Sequence, residues 1–299
     1  MGHERLPAWV TNRGGDSRST HEIKRLLRSR KVHTVCESAM CPNLGECFAR
    51  DTATFMILGN DCTRQCAFCA VTHGVPAPID AEEPARIVDA ARTLNLKHVV
   101  ITSVTRDDLP DGGSGLFVET INALRREIPA ATIEVLTPDF QGDREAIRAV
   151  AAAGPHIYNH NLETVPRLYG QVRPQAEYER SLDLFSCLNG AGADVITKSG
   201  IMVGLGEERD EVVHVFQDLR RVGCDVITVG QYLRPRKKNF PVARYVPVDE
   251  FGEYEKIGYN LGFRLVVAGP LVRSSFRADE AMELLETGKP QFSVLPQTS

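Results

Sequence analysis

The chain has 299 residues, 42% hydrophobic and 25% charged, with 35 basic against 39 acidic side chains and a formal charge of −4. That balance gives no general electrostatic case for nucleic acid or a membrane surface, and no stretch approaches the roughly 20 consecutive apolar residues that span a bilayer. The opening MGHERLPAWVTNRGG lacks the apolar core of a secretory signal, so a reducing, cytoplasmic setting is expected, in one main domain with appendages.

Along the chain the first feature is a pair of cysteine triplets, Cys36, Cys41 and Cys47 spaced CxxxxCxxxxxC, then Cys62, Cys66 and Cys69 spaced CxxxCxxC. Each triplet supplies three thiolates from one short segment, one fewer than a four-coordinate metal or a cubane cluster takes, so each leaves a position open. Disulfide scaffolds are usually small, and here only Cys187 and Cys224 follow Cys69. Zinc sites normally use four protein ligands, often as two pairs, and neither triplet has that form.

Short β-rich runs then alternate with helical stretches. The first run is Thr54 to Leu58, directly before the second triplet. Asp80 and Glu83 form a capping-box pattern, Pro84 suits a first helical turn, and Ile87, Val88, Ala91 and Leu94 make an apolar stripe leading to the run Lys97 to Ser103. A helix bearing Phe117, Ile121, Leu124 and Ile128 leads to strand Thr132 to Leu136. Another starts at Asp143, stops at Gly154 and leads to His156 to His160. A helix over Tyr178 to Leu188 precedes strand Asp194 to Lys198, and one with Val212, Val215, Phe216 and Leu219, ending at Gly223, precedes Asp225 to Val229. Six βα repeats are visible, and a seventh run, Arg264 to Ala268, follows a helix with Phe251, Tyr254 and Leu261. Such alternation predicts parallel strands, in a barrel or an open doubly wound sheet, with functional loops at the strands' C-terminal ends.

The segment CTRQCAFC resembles the cluster motif of radical S-adenosylmethionine enzymes, whose fold is a full or partial βα barrel. The resemblance implies a 4Fe-4S cluster on Cys62, Cys66 and Cys69, S-adenosylmethionine on the fourth iron beside Phe68, and reductive cleavage of that cofactor to a 5′-deoxyadenosyl radical. ESAMCPNLGEC, around Cys36, Cys41 and Cys47, is similar to the auxiliary-cluster motif of lipoyl synthases. So are the blocks SVTRDDLPDGG, NHNLETVPRLY, TKSGIMVGLGE, GQYLRP and GPLVRSSF, from about Trp9 to about Ala278. In that family a serine of the RSS block, here Ser275, completes a second 4Fe-4S cluster, which is sacrificed as two sulfurs enter C6 and C8 of a protein-bound octanoyl chain. A hydroxyl is a harder ligand than thiolate, so that corner should open most easily. Ser274 competes for the position, and Ser275 is chosen by matching the family.

Other residues carry weaker readings. Asn159, Asn161 and Glu163 follow a strand and are candidates to bind S-adenosylmethionine. Lys198, taken as a strand end, is a candidate partner for the cofactor carboxylate, and Arg106 and Asp107 occupy the corresponding loop earlier. Arg273 is a candidate to orient the cluster ligand. The glycines of VGLGE need no phosphate to explain them, and Cys187 and Cys224 read as buried thiols. His33, His73, His156, His160 and His214 have no metal-ligand spacing with each other. The family commonly has a histidine before the PV pair where this chain has Asn239, a departure that leaves only substrate-side contact expected of that loop. Its basic run, Arg234, Arg236, Lys237 and Lys238, suits an acidic carrier domain.

The resemblance thus implies an α/β enzyme: residues 1–50 an extension carrying the auxiliary-cluster motif, 51–268 a partial (β/α)6 barrel, and 269–299 a tail supplying the serine. Implied partners are octanoylated lipoyl domains of 2-oxo acid dehydrogenase acyltransferase subunits, the glycine cleavage H protein, and a low-potential electron donor such as ferredoxin or flavodoxin, with the enzyme a monomer. Two cofactor molecules are consumed per lipoyl group because two hydrogens leave. Rival readings are another sulfur-inserting radical enzyme, of biotin synthase or methylthiotransferase type, and a non-catalytic electron carrier or zinc-stabilised binding protein.

Overall fold

The computed structural model describes residue 7 and residues 17–50, 52–190 and 195–287. The rest of the opening segment through residue 16, with Trp9, the expected strand start at Asp194, and the tail beyond residue 287 lie outside the described residues.

Helix α1 (Ser17–Ser29) turns Ile23 and Leu27 inward and leads to a two-residue strand, β1 (His33–Thr34). Two short helices, α2 (Val35–Ser38) and α3 (Leu44–Ala49), carry Cys36 and Cys47, with Cys41 between them and Thr34 capping α2 by accepting from the Glu37 amide. Then come β2 (Thr54–Ile57), the two-residue strands β3 (Asp61–Cys62) and β4 (Thr72–His73), helix α4 (Glu83–Thr93), β5 (His98–Ser103), α5 (Ser114–Glu127), β6 (Thr132–Leu136), α6 (Arg144–Ala152) and β7 (Ile157–Asn159). One turn of helix, α7 (Tyr169–Val172), precedes α8 (Tyr178–Gly190), β8 (Ile196–Val203), α9 (Arg209–Arg221), β9 (Val226–Gln231), α10 (Val248–Asn260), β10 (Leu265–Gly269) and α11 (Ala278–Thr287).

The main sheet runs β1-β2-β5-β6-β7-β8-β9-β10, with β1 antiparallel and every other pairing parallel. Strand order follows chain order throughout, so the doubly wound alternative, whose order reverses at a switch point, is excluded. Among the described residues no pairing joins β10 to β1 or β2, and the parallel series is an open, partial barrel of six βα repeats closed off by a seventh strand.

Val99, Ile101, Ile133, Val135, Ile227 and Val229 project from one face of the sheet into a single core with Ile87, Phe117, Ile147, Phe185 and Phe216 of the helices. Burying each such side chain contributes about 1.5–3 kcal/mol. The opposite, inner face is partly covered by α11, whose Ala281 packs with Val226, Leu265, Val267 and Val272 as a small separate cluster.

Two local expectations are corrected. The capping box at α4 does not form, because Glu83 turns its carboxylate to the Leu58 amide at 2.8 Å and caps the end of β2; Asp80 is left to accept from the Glu82 amide. Strand β8 does not end at Lys198 but continues to Val203. At Gly200, inside the strand, a Cβ would stand 2.7 Å from Thr228 Oγ1 and 2.8 Å from Asn161 Oδ1, so the close approach of these side chains requires glycine there.

Candidate active site

Cys62 lies at the end of β3, and its pairing with β4 draws the ends of the segment Cys62 to His73 together. Inside that loop the Cys69 amide donates to the Cys66 carbonyl at 3.1 Å, and the amides of Arg64 and Thr105 both point at Cys62 Sγ, at 3.4 Å. Burial pushes the Cys69 thiol up to about 12 and raises Cys66, although the Arg173 guanidinium opposes the rise at Cys66. Phe68 is half-buried against the main core.

The loop is fastened from three sides. Arg64, 4% exposed, forks onto Asp107 at 2.7 and 2.9 Å and reaches fully buried Asp139 at 2.6 Å; Arg180 meets the other Asp139 oxygen at 2.8 Å. Burial acts to raise the Asp139 carboxyl, but its arginine partners outweigh it and hold it well below the carboxylate range. The Ala67 amide donates to the Val172 carbonyl at 2.9 Å, and the Asn239 amide group donates to the carbonyls of Ala67 at 3.1 Å and Cys69 at 2.7 Å. Asn239 therefore does more than the expected substrate-side contact: it ties the basic loop to the cluster loop. Arg234 is spent within its own loop, on the carbonyls of Asn239 and Lys237, while Arg236, Lys237 and Lys238 are exposed.

Beyond β7, Asn161 and Glu163 are brought to the same rim as Cys66. Asn161 Nδ2 donates to Glu163 Oε1 at 3.0 Å and to the Ser274 hydroxyl at 2.6 Å, while its Oδ1 is buried without a partner. Arg173, 8% exposed, donates to the carbonyls of Asn161 and Leu162 and lies over the Tyr169 ring. Burial raises the Glu163 carboxyl against the opposing charge of Arg173. Sequence reading missed Arg64, Asp139 and Arg173; only Arg64 carries a signal, its place between two ligands.

Lys198 and Asn159 are elsewhere. Since β8 runs on for five residues past it, Lys198 sits below the rim on the inner face, its ammonium 2.9 and 3.1 Å from the two oxygens of fully buried Glu134. Asn159 Nδ2 donates to the same carboxylate at 3.1 Å, and His98 Nε2 stands 3.5 Å from it. Burial acts to raise the Glu134 carboxyl, yet Lys198 and His98 hold it down at about 2. The expected pairing of Lys198 with a cofactor carboxylate is thus replaced by an internal ion pair. Arg106 is likewise committed, forked onto Asp108 at 2.9 Å.

The first triplet is compact. The Cys41 amide donates to the Cys36 carbonyl at 3.0 Å, and burial, with the neighbouring thiols, pushes Cys36 and Cys47 up to about 12. The C-terminal segment reaches it from the other end of the sheet. Gly230 of β9 lets the Val272 carbonyl pass where a Cβ would collide, Asn43 donates to the Leu271 carbonyl at 2.6 Å, and Arg277 donates to Glu46 at 3.0 Å. Arg50 pairs with Glu280 and stands 3.6 Å from Asp279, and Cys47 shares a shallow crevice with Phe276 and Arg277. Ser274 faces Asn161, and Ser275 lies between that contact and the contacts to the first triplet's helix.

Both triplets fit iron-sulfur ligation by their chemistry. Burial raises the thiols of Cys36, Cys47, Cys66 and Cys69, and bound iron would supply the positive charge that makes their thiolates stable there. Within each triplet the cysteines sense one another's charge. Asn161 Oδ1, buried without a hydrogen-bond partner, lies against Gly200 of β8.

The sequence profile of the Radical SAM superfamily matches residues 56–219. A lipoyl synthase of Caldanaerobacter subterraneus subsp. tengcongensis is 55% identical over 94% of this chain and 98% of its own length, and one of Rubrobacter xylanophilus is 53% identical over 94% and 88%. Streptococcus suis SuiB bound to S-adenosylmethionine shares the fold, with a TM-score of 0.57 and 13% identity over 76% of this chain and 53% of that longer one. With identity above half over nearly the whole length of these relatives, the chain belongs to the lipoyl synthases of the radical SAM superfamily.

Proposed function

We propose that Cys62, Cys66 and Cys69 hold a 4Fe-4S cluster that presents S-adenosylmethionine, and that Cys36, Cys41, Cys47 and Ser275 hold a second. The reaction of a lipoyl synthase is insertion of two sulfur atoms at C6 and C8 of a protein-bound octanoyl-lysine. When bound, the first cluster with its cofactor supplies the hydrogen-abstracting radical and the second supplies sulfur. The supporting observation is that six thiols fall into two separate sets while one segment, 271–277, contacts the surroundings of both, through Ser274 on Asn161 and Arg277 on Glu46.

The chain's own residues position and shield. Arg64, held by Asp107 and Asp139, fixes the loop between Cys62 and Cys66 so that its corner faces the rim. Asn161, Glu163 and Arg173 offer an acceptor, a carboxylate and a buried cation where a zwitterionic methionyl group and a ribose would lie. Ser274 is engaged by Asn161, which supports Ser275 as the ligand. Asn159 and Lys198 form the floor with Glu134 and are reassigned from cofactor contact to its support. Phe68 packs the loop onto the core.

Residues 1–50, 51–268 and 269–299 serve as extension, barrel and tail. Lipoyl-carrier domains and the H protein present the octanoyl chain, and exposed Arg236, Lys237 and Lys238 suit an acidic face on them. A low-potential donor such as ferredoxin or flavodoxin supplies electrons, and the enzyme works as a cytoplasmic monomer. Among the described residues no helix is long and apolar enough to cross a membrane.

Anaerobic reconstitution tests the reading. The wild-type chain should bind about eight irons, as two 4Fe-4S clusters require, and cleave S-adenosylmethionine reductively. Cys41→Ala should keep that cleavage but make no lipoyl product on an octanoylated H protein, whereas Cys66→Ala should lose both. Lipoyl product from Cys41→Ala sinks the assignment.

A further inference from the structure

The segment carrying Ser275 is bound to the first triplet's helix by contacts between residues some 230 positions apart. Arg277 donates to Glu46 at 3.0 Å, Arg50 pairs with Glu280 and lies 3.6 Å from Asp279, and the Asn43 side chain donates to the Leu271 carbonyl at 2.6 Å. These contacts bracket Ser275 on both sides in sequence. Arg277 also stands 3.6 Å from Glu280, so Glu46, Arg277, Glu280 and Arg50 form one chain of alternating charge across the seam between the two termini.

The charged members are not buried. Arg50, Arg277, Glu46, Asp279 and Glu280 each keep between 32% and 41% of their side-chain surface in water, and such pairs are individually weak and screened by salt. Behind them Val272 and Ala281 pack on Val226 of β9 and on Leu265 and Val267 of β10, a small apolar cluster separate from the main core. Residues 271–281 are therefore held by exposed ion pairs at the seam, by neutral hydrogen bonds from Asn43 and Asn161, and by an apolar contact with β9 and β10; of these the ion pairs are the salt-sensitive part.

We propose that Arg50 and Arg277 are positioning residues: with Glu46, Asp279 and Glu280 they form an ionic latch that holds Ser275 over the first triplet and opens without unfolding the barrel. The proposal rests on Ser275 being the fourth ligand of that site. An openable latch suits a cluster that gives up sulfur and has to be replaced, because the segment that covers the site can swing away as one unit.

The test uses the full-length chain in two states. In protein without clusters, hydrogen–deuterium exchange at residues 270–287 should speed several-fold in Arg50→Glu, in Arg277→Glu, and in the wild type on raising salt, with exchange in β5 to β8 unchanged. In the reconstituted enzyme the same variants should lose iron from the first triplet to a chelator several-fold faster, while the electron paramagnetic resonance signal of the other cluster and S-adenosylmethionine cleavage persist. The charge swap Arg50→Glu with Glu280→Arg should restore both readouts in part, because it reforms that pair while setting like charges against Asp279 and Arg277. Asp279→Asn with Glu280→Gln, which introduces no new charge, should give a milder form of the same defect and guards against misfolding of the reversal variants.

Unchanged exchange in the tail for all of these variants at low salt overturns the latch. If exchange rises but Ser275→Ala retains iron at the first triplet as the wild type does, the latch stands and the assignment of Ser275 falls.

Discussion

Around Cys62, Cys66 and Cys69 the supporting charges are buried: Arg64 is 4% exposed, Asp139 is fully enclosed between two arginines, and Asn239 closes on two carbonyls of the loop. Around Cys36, Cys41 and Cys47 the supports that reach the tail are about a third exposed and join the two ends of the chain. A buried pair loses heavily if either partner is removed, whereas an exposed pair opens and closes at little cost. On the proposed assignment, the cluster that must survive every turnover belongs to the rigid cradle, and the one that is consumed belongs under the proposed latch.

The comparison can be broken most forcefully at Asp139. Asp139→Ala removes the buried carboxylate shared by Arg64, which keeps only the partly exposed carboxylate of Asp107, and Arg180, which keeps only the exposed one of Glu177, and should destabilise the chain by about 3–5 kcal/mol in urea unfolding; cofactor cleavage should fall with it. A loss below about 1 kcal/mol would mean the cradle is no more rigid than the latch.

Next comes the floor. Lys198→Met leaves the Glu134 carboxylate buried with only His98 and Asn159, and should cost about 3 kcal/mol at neutral pH. The sign of the acid response should change as well. In the wild type Glu134 is held at about 2, so its contribution is complete above its ordinary value of 4.5 and fades as pH falls towards 2. In Lys198→Met a proton on Glu134 relieves the unpaired charge, so stability should rise as the pH is lowered from neutrality. Adding Glu134→Gln should recover most of the loss.

A smaller effect belongs to His160. Its Nδ1 donates to the Thr137 carbonyl at 2.9 Å and its Nε2 accepts from Ser181 at 3.1 Å, a neutral tautomer that burial, with Arg173, pushes down to about 4. The unfolded chain takes up the proton first, so this site's contribution is complete above the ordinary value of 6.5 and is lost as pH falls towards 4; the loss is about 2 kcal/mol at about pH 5. His160→Gln should flatten that limb of the pH–stability profile, measured on protein without clusters. Smallest of all, Glu46→Gln should change global stability by less than about 1 kcal/mol. A larger change there would make the latch part of the fold itself.

Much of this was legible in the residues. Apolar periodicity located the helices from Pro84 to Leu261, and β-rich runs located the parallel strands, because both signals are local. What escaped was non-local or lay past the expected end of a strand. Ending the strand at Lys198 missed the second half of β8, which runs on through Gly200, and with it the depth of Lys198. His98 and Glu134 looked like ordinary strand residues because their meaning comes from pairing across β5, β6 and β8. Arg64 finds partners 43 and 75 residues away, a relation that no spacing rule records. The triplets were visible at once, but Ser275 was suggested only by family resemblance, since nothing within the tail points to Cys47.

Strand order that follows chain order has a consequence for synthesis. Each parallel strand can join the sheet as soon as its crossover helix is made, so the cradle around Cys62 to Cys69, which draws on residues up to Asn239, can form while the chain is still emerging. The first triplet is translated earlier yet must wait for Leu271, Arg277 and Glu280. The site nearest the beginning of the chain is therefore finished last, and a chain cut short after β9 would keep most of its cradle but have no cover for the thiols of Cys36, Cys41 and Cys47.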